Sequence, residues 1–178
     1  MPSSIHILPL KPVVLEVLPL LVEPLVSIFE ADVTIAEPEG RIVPAVLDDS
    51  RGQYNSTDIL RSLLERPLPE QCKIVGVTSV DLFVPVLTYV FGEAQLDGTA
   101  AVVSTYRLDN VMYGLPADPV LFYERVLKET VHELGHTYGL VHCRDIDCAM
   151  HASTAVEDID VKGASLCPAC RRAALSAV

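Results

Sequence analysis

The stretch TVHELGHTYGLVHC, residues 130 to 143, places three histidines and a glutamate within eleven positions and sets a cysteine after the last histidine. His132 and His136 are four residues apart, so both imidazoles lie on one face of a helix, about one turn from each other. Glu133 lies about 100° around the helix axis and therefore flanks this row instead of joining it. The spacing predicts a helix that presents two metal ligands on one face.

A glycine and a third histidine extend the pattern. Gly139 can adopt a positive φ, end the helix and turn the chain back, so that His142 reaches the same metal ion. Three neutral imidazoles fill three corners of a tetrahedron and leave the fourth for water, which is typical of a catalytic zinc site. A bare HExxH occurs often by chance, and histidines on a surface helix are the alternative. The longer HExxHxxGxxH favours the zinc site.

Four of the five cysteines form a second pattern, CxxxxC followed by CxxC, made by Cys143, Cys148, Cys167 and Cys170. Two short-spaced pairs separated by a loop are the usual layout of a four-thiolate structural zinc site. Because neighbours in an extended chain point to opposite sides, His142 and Cys143 can serve two different metal ions. Two disulfides or a redox-active CxxC are the alternatives, and a reducing compartment favours zinc. Cys72 stands apart and is expected to be a buried small hydrophobe.

Composition indicates which classes of protein and which partners are expected. Half of the 178 residues are apolar, enough for one domain with a core. The formal charge of −11 repels phosphate backbones, so nucleic acid is not expected as a partner. Glutamates and prolines interrupt the apolar stretch at residues 13 to 29, so no membrane span is expected. The start lacks the pattern of a signal peptide, which predicts a cytoplasmic location. Nothing in the sequence indicates an oligomeric state.

Apolar periodicity predicts alternating strands and helices ahead of the histidines, and hence an α/β fold. Strands are predicted over residues 5 to 10, 32 to 36, 73 to 83, 86 to 94 and 99 to 108, the last two joined through the turn signal DG at 97 and 98. Helices are predicted over residues 12 to 29 and 56 to 66, the second with Ser56 or Thr57 as its N-cap. Asp118 and Pro119 predict the start of the long helix that carries the histidines to residue 140. The tail beyond it is predicted to be irregular.

The motifs HELGHTYGLVHC, CAM at 148 to 150 and CPAC at 167 to 170 closely resemble those of the archaemetzincins, a branch of the metzincin zinc peptidases. The resemblance covers residues 132 to 170, and residues 77 to 94 and 99 to 108 are similar to strands of that family. It implies that His132, His136 and His142 bind a catalytic zinc. It also implies that Glu133 is the general base and acid, and that Met150 belongs to a Met-turn beneath the metal. It also implies that the four paired cysteines hold a second zinc, giving two Zn²⁺ per chain.

The same resemblance implies a metzincin-like α/β fold. It consists of a mixed twisted sheet with an antiparallel edge strand, an active-site helix and a small zinc-stapled C-terminal subdomain, divided as residues 1 to 139 and 140 to 178. The segment 86 to 94 is the candidate edge strand, which would hold an extended peptide over the zinc. Some metzincins place a tyrosine shortly after the Met-turn, and residues 151 to 160, HASTAVEDID, contain none.

The predicted function is that of a zinc-dependent metallopeptidase acting on a peptide or protein substrate. A zinc-bound water attacks the peptide carbonyl, while Glu133 takes up a proton and returns it to the leaving amine. The alternative is a zinc-stapled module that binds peptides with little or no turnover.

Overall fold

The structure, a computed structural model, describes residues 4–38 and 47–176. Its strands are β1 (Ser4–Pro9), β2 (Asp32–Ile35), β3 (Leu47–Asp48), β4 (Gln53–Asn55), β5 (Cys72–Thr78), β6 (Leu82–Phe83), β7 (Gly92–Ala94) and β8 (Ala100–Ser104). Its α-helices are α1 (Leu18–Phe29), α2 (Ser56–Leu64), α3 (Pro119–Thr137), α4 (Val156–Val161) and α5 (Pro168–Ser176). Short 3-10 turns cover Leu15–Val17, Tyr106–Leu108 and Asn110–Tyr113.

Five of the strands form one mixed sheet in the order β2-β1-β5-β8-β7. The first four strands run parallel to their neighbours, and β7 runs antiparallel to β8 at the edge. The remaining strands form a small sheet in the order β3-β4-β6. The predicted α/β fold with an antiparallel edge strand is therefore confirmed.

Alternating side chains give the main sheet two apolar faces. Successive side chains of a strand point to opposite faces of the sheet. The β-branched and small residues of the central strands therefore make both faces apolar. One face packs against α1 and α3 through Ile5, Ile7, Val75, Val77, Ala101 and Val103. The other packs against α2 through Leu8, Ile74, Ala100 and Val102. Burial on the first of these faces holds α3 against the sheet.

The segment predicted as one strand over residues 86 to 94 is mostly a loop, and that prediction is wrong for its first part. Only Gly92–Ala94 forms a strand. Before this strand the chain forms a turn in which the N–H of Leu87 donates to the carbonyl of Val84. It then pairs with β6 through an isolated antiparallel bridge between Val90 and Leu82. Pro85 has no N–H to donate to a neighbouring strand, and the Val86 side chain is 88% exposed. The prediction was wrong here because it relied on the apolar composition of the segment.

Other boundaries also differ from the predictions. The strand predicted over 73 to 83 divides into β5 and β6, which belong to different sheets, and the strand predicted over 99 to 108 ends at Ser104. The helix predicted from residue 12 begins as a 3-10 turn at Leu15. The N-cap of α2 is Asn55, whose side chain accepts from the N–H of Thr57, and not Ser56 or Thr57.

The tail after the histidines is more regular than predicted, since it contains α4 and α5. Side chains from this tail, including Met150, Ile159 and Ala174, join the same apolar cluster as α1 and α3. The tail is therefore packed against α3. Within the described part of the chain, no helix is both long and apolar enough to cross a membrane.

Candidate active site

Helix α3 carries His132 and His136, and both of its ends are fixed. At the start, the Asp118 side chain accepts from the N–H of Leu121 at 3.0 Å, with Pro119 as the first helical residue, as predicted. At the end, Lys73 Nζ donates to the carbonyl of Thr137 at 2.9 Å, where the helix dipole favours a cation. The helix ends at Thr137, three residues earlier than predicted, which places the turn at Tyr138 and Gly139.

The turn that follows α3 is the one the glycine predicts. Gly139 has φ of 80°, in the left-handed region that residues with a Cβ rarely adopt. Its N–H donates to the carbonyl of His136, and the N–H of Leu140 donates to that of Gly135. The chain thereby reverses and brings His142 back beneath the helix.

The three histidines converge. One ring nitrogen of each lies within 4.8 Å of the others, and the Nε2 atoms of His132 and His136 are 3.2 Å apart. The Nδ1 atoms of these two rings lie 2.8 Å from the carbonyl oxygens of Ala149 and Leu140. Because a carbonyl only accepts, both Nδ1 atoms carry the hydrogen, which leaves the Nε2 lone pairs free. His132 and His136 therefore present the imidazole nitrogen donors that zinc prefers.

Burial keeps the rings of His132 and His136 uncharged. It lowers the pKa of His132 to about 2, and it also lowers the pKa of His136 below its usual value. An imidazole whose pKa lies below 7 is mostly neutral at pH 7, and neutral imidazole is the form that binds a metal ion.

A cleft of about 490 Å³ lies above the histidines. Its rim is formed by residues 87 to 94, and its floor includes Glu129, Glu133 and the three histidines, with Ser153 and Thr154 at one side. Glu133 is 6% exposed, and its pKa is raised well above the usual value, first by burial and then by the charge of Glu129. A Cβ on Gly92 would lie 2.6 Å from Glu133 Cγ, so the absence of a side chain in the rim makes room for this glutamate.

Met150 is fully buried below the helix. A Cβ on Gly135, between the first two histidines, would collide with Met150 Sδ. The N–H of Cys143 donates to the carbonyl of Met150 at 2.8 Å, which ties the strand-like segment after His142 to this turn. The structure thus places Met150 against the helix, next to Gly135.

Replacing Gly135 with alanine should destabilise the protein by about 1–3 kcal/mol, the usual cost of overpacking a core. A loss of stability would indicate the contact with Met150, because alanine in an open helix interior would instead stabilise the protein by about 1 kcal/mol relative to glycine. Urea unfolding of the variant measures the change. Adding Met150→Ala creates space for the new methyl group, so the double variant should lose less stability than the two single losses added together. Strict additivity would contradict the contact.

The four paired cysteines form a separate cluster. Their Sγ atoms all lie within 4.8 Å of one another, and all five cysteines of the chain are free thiols. The Sγ atoms of Cys143 and Cys167 are 3.9 Å apart, well beyond the roughly 2.05 Å of a disulfide. The structure therefore contains neither of the alternative disulfides. Cys72 is 1% exposed, as expected of a buried small hydrophobe.

The start of α5 shapes the surroundings of two of the clustered cysteines. Cys167 and Cys170 flank Pro168, and the N–H of Cys170 donates to the Cys167 sulfur, which lowers the pKa of Cys167 to about 7. Burial raises the pKa of Cys148 and of Cys170. Four thiols held this close match the donor set of a structural zinc site.

Sequence reasoning missed several residues around the cleft. Tyr89 donates from its hydroxyl to the carbonyl of Thr154 at 3.0 Å, which joins the rim to the segment after Met150. The Arg107 guanidinium lies 4.0 Å from the centre of the Tyr89 ring, and Asp81 holds it through two hydrogen bonds. An isolated tyrosine in an apolar run carries no signal of such a contact.

The chain matches a known peptidase family over most of its length. The model of Peptidase family M54 matches residues 48–175. The chain belongs to this family. The archaemetzincin of Methanocaldococcus jannaschii is 45% identical over 121 residues, which cover 68% of this chain and 65% of that relative. The predicted resemblance to archaemetzincins is thereby confirmed.

Solved structures of the family have the same fold. The archaemetzincin of Archaeoglobus fulgidus, determined in complex with malonate, superposes with a TM-score of 0.82 at 38% identity, over 96% of this chain and 99% of that one. A zinc-dependent peptidase from Methanocorpusculum labreanum superposes with a TM-score of 0.85 at 28% identity, over 96% and 99% of the two chains. As a member of family M54, this chain is a zinc metallopeptidase, a hydrolase that acts on peptides.

Proposed function

We propose that this metallopeptidase cuts peptide bonds in the cleft above α3, with His132, His136 and His142 holding the catalytic zinc and Glu133 acting as general base and acid. The observation that carries the proposal is the convergence of three imidazole nitrogens within 4.8 Å, two of them with Nδ1 tied to carbonyl oxygens. When bound there, zinc would acidify a water molecule and polarise the peptide carbonyl. Membership in a peptidase family favours this reading over a module that only binds peptides.

Glu133 is placed to move the proton. It follows His132 directly, lines the same cleft and stands about 100° around α3 from His132, so it is not aligned with the row of the two helical histidines. Its carboxylate takes the proton from the attacking water and passes it to the amine that leaves. The Gly92 position, which has no side chain, leaves space for the carboxylate beside the rim.

The edge strand β7 offers the main chain that would hold the substrate. The carbonyl of Phe91 and the N–H of Gln95 pair with β8, so the intervening Gly92 and Ala94 turn their N–H and C=O groups away from that strand. These outward groups can pair with an extended peptide and align its scissile bond along the cleft.

The C-terminal segment has a structural part in the proposal. Cys143, Cys148, Cys167 and Cys170 would hold a second zinc, giving two per chain, and residues 140 to 178 would form a subdomain distinct from residues 1 to 139. The N–H of Ala149 donates to the carbonyl of Ser165, which joins the Met150 turn to the loop before the second cysteine pair. A zinc held by both pairs would therefore fix the turn beneath the histidines.

Metal analysis tests the two sites together. The purified protein should contain two zinc ions per chain, and His136→Ala should contain one, because two imidazoles and water are a poor site. His6→Ala is the matched control, since His6 is in β1 and belongs to neither cluster, and it should keep both ions. Two ions in His136→Ala would contradict the assignment of this residue.

A further inference from the structure

A buried ion pair lies beside the histidine cluster. Lys162, the C-cap residue that follows α4, has a fully buried side chain, and its Nζ lies 2.8 Å from Oε1 of Glu129, whose side chain is 4% exposed. Glu129 sits on α3 one turn before His132, and it also lines the cleft. Its Oε1 receives no well-aligned hydrogen bond, so charge attraction holds this pair. Neither residue belongs to the metal-binding motifs.

The ammonium group of Lys162 touches two further elements. It lies 3.4 Å from Nδ1 of His132 and 3.3 Å from the carbonyl oxygen of His151, directly after Met150. The Nδ1 atom already donates to the carbonyl of Ala149 at 2.8 Å, in the same turn. Lys162 therefore stands next to the hydrogen bond that orients the His132 ring and contacts both the helix and the turn that make this bond.

We propose that Lys162, with Glu129 as its counter-charge, is a positioning residue for His132. It holds the Met150 turn against α3 at the separation at which Ala149 can orient the imidazole. The inference rests on the proposed zinc site. Without the ammonium, a carboxylate is left buried and unpaired one turn from His132 and Glu133. Because Glu129 lines the cleft, that carboxylate can relieve its burial by turning toward the metal position.

Nearby charges provide a matched control. Lys128 is also on α3 and buried, and its Nζ donates to the carbonyls of Ile159 and Asp160 at 3.0 and 3.1 Å. Arg125 forms two hydrogen bonds with the Asp160 carboxylate. Lys128 and Arg125 thus hold α4 against α3, as Lys162 does. Unlike Lys162, neither forms a hydrogen bond with a histidine in the part of the chain that the structure describes. A loss of docking alone would therefore affect Lys128→Met and Lys162→Met alike.

The test measures the histidine cluster with cobalt. With the cysteine cluster filled by zinc, Co²⁺ is titrated into wild type, Lys162→Met, Glu129→Gln, the pair Glu129→Gln/Lys162→Met, and Lys128→Met. Lys162→Met should bind Co²⁺ roughly 10- to 100-fold more weakly, the usual cost of losing an outer-shell partner, with altered visible absorption bands. The double variant Glu129→Gln/Lys162→Met should recover part of the lost Co²⁺ affinity, because it leaves no buried charge unpaired. Lys128→Met should keep the wild-type affinity and bands.

The outcomes separate this inference from the proposed function. If wild type binds no Co²⁺ at the histidines, the proposed zinc site fails, and the inference fails with it. If wild type binds and Lys162→Met matches it in affinity and spectrum, or Lys128→Met changes as much as Lys162→Met, only the positioning role is wrong. Should Lys162→Met fail to fold by circular dichroism, Glu129→Gln decides, and wild-type affinity and bands in that variant overturn the proposal.

Discussion

Replacing Glu133 with glutamine should lower peptide hydrolysis by about 10²- to 10⁴-fold, the usual contribution of a general base and acid, and should leave the zinc content unchanged. Glutamine keeps the shape of the side chain in the space left by Gly92, so the histidines need not move. It cannot accept the proton from water or return one to the leaving amine. Mass spectrometry of a peptide library, with zinc analysis of the same sample, measures both quantities.

The control for this variant is Glu124→Gln. Glu124 lies on the same helix and is exposed, so the substitution changes the charge of α3 without entering the cleft. Its turnover should equal that of wild type. Unchanged turnover in Glu133→Gln would show that the proton-transfer role belongs elsewhere, and loss of zinc would show that Glu133 supports the site rather than the reaction.

The double substitution Cys167→Ser/Cys170→Ser should remove one zinc per chain and unfold the segment after α3. Structural zinc sites contribute about 10–16 kcal/mol of binding free energy in zinc-finger peptides, as much as the whole stability of many domains. Here α4 is six residues long and buries Val156 and Ile159, and α5 buries only Ala174, so these two helices have few buried apolar side chains of their own to replace the metal. Zinc analysis, thermal unfolding and hydrogen exchange over residues 140 to 176 measure the effect.

Cys72→Ala is the control for the cysteine substitutions. Cys72 is buried at the start of β5 and lies outside the cysteine cluster, so this variant should keep two zinc ions. A double serine variant that keeps both ions and the wild-type exchange pattern would rule out the second zinc site. Because Met150 lies in the affected segment, the double variant should also lose zinc from the histidines more readily when a chelator is added.

The convergence of the three histidines could be predicted from sequence because its geometry is local. Helical spacing aligns His132 with His136, and Gly139 supplies the left-handed turn that returns His142, whatever surrounds them. The separation of His142 from Cys143 follows from the extended chain between the two clusters. The strongly periodic strands of the main sheet and the long helix α3 were predictable for the same reason.

The remaining features depend on contacts between distant parts of the chain. The rim over residues 86 to 91 has the composition of a strand, but Pro85 and the return of the chain to Leu82 make it a loop. Lys162 and Glu129 are 33 positions apart, and nothing in the local sequence indicates that α4 brings them together. The irregular tail was misjudged because six- and nine-residue helices are stabilised by packing more than by propensity.

The most direct measurement is an anomalous difference map of crystals of the protein, collected at the zinc absorption edge. The proposal predicts a peak bounded by Nε2 of His132, Nε2 of His136 and a nitrogen of His142, with the remaining coordination position open to the cleft, and a second peak among the four sulfurs. Rings that point apart, or well-ordered histidines with no peak between them in crystals grown with zinc, would contradict it.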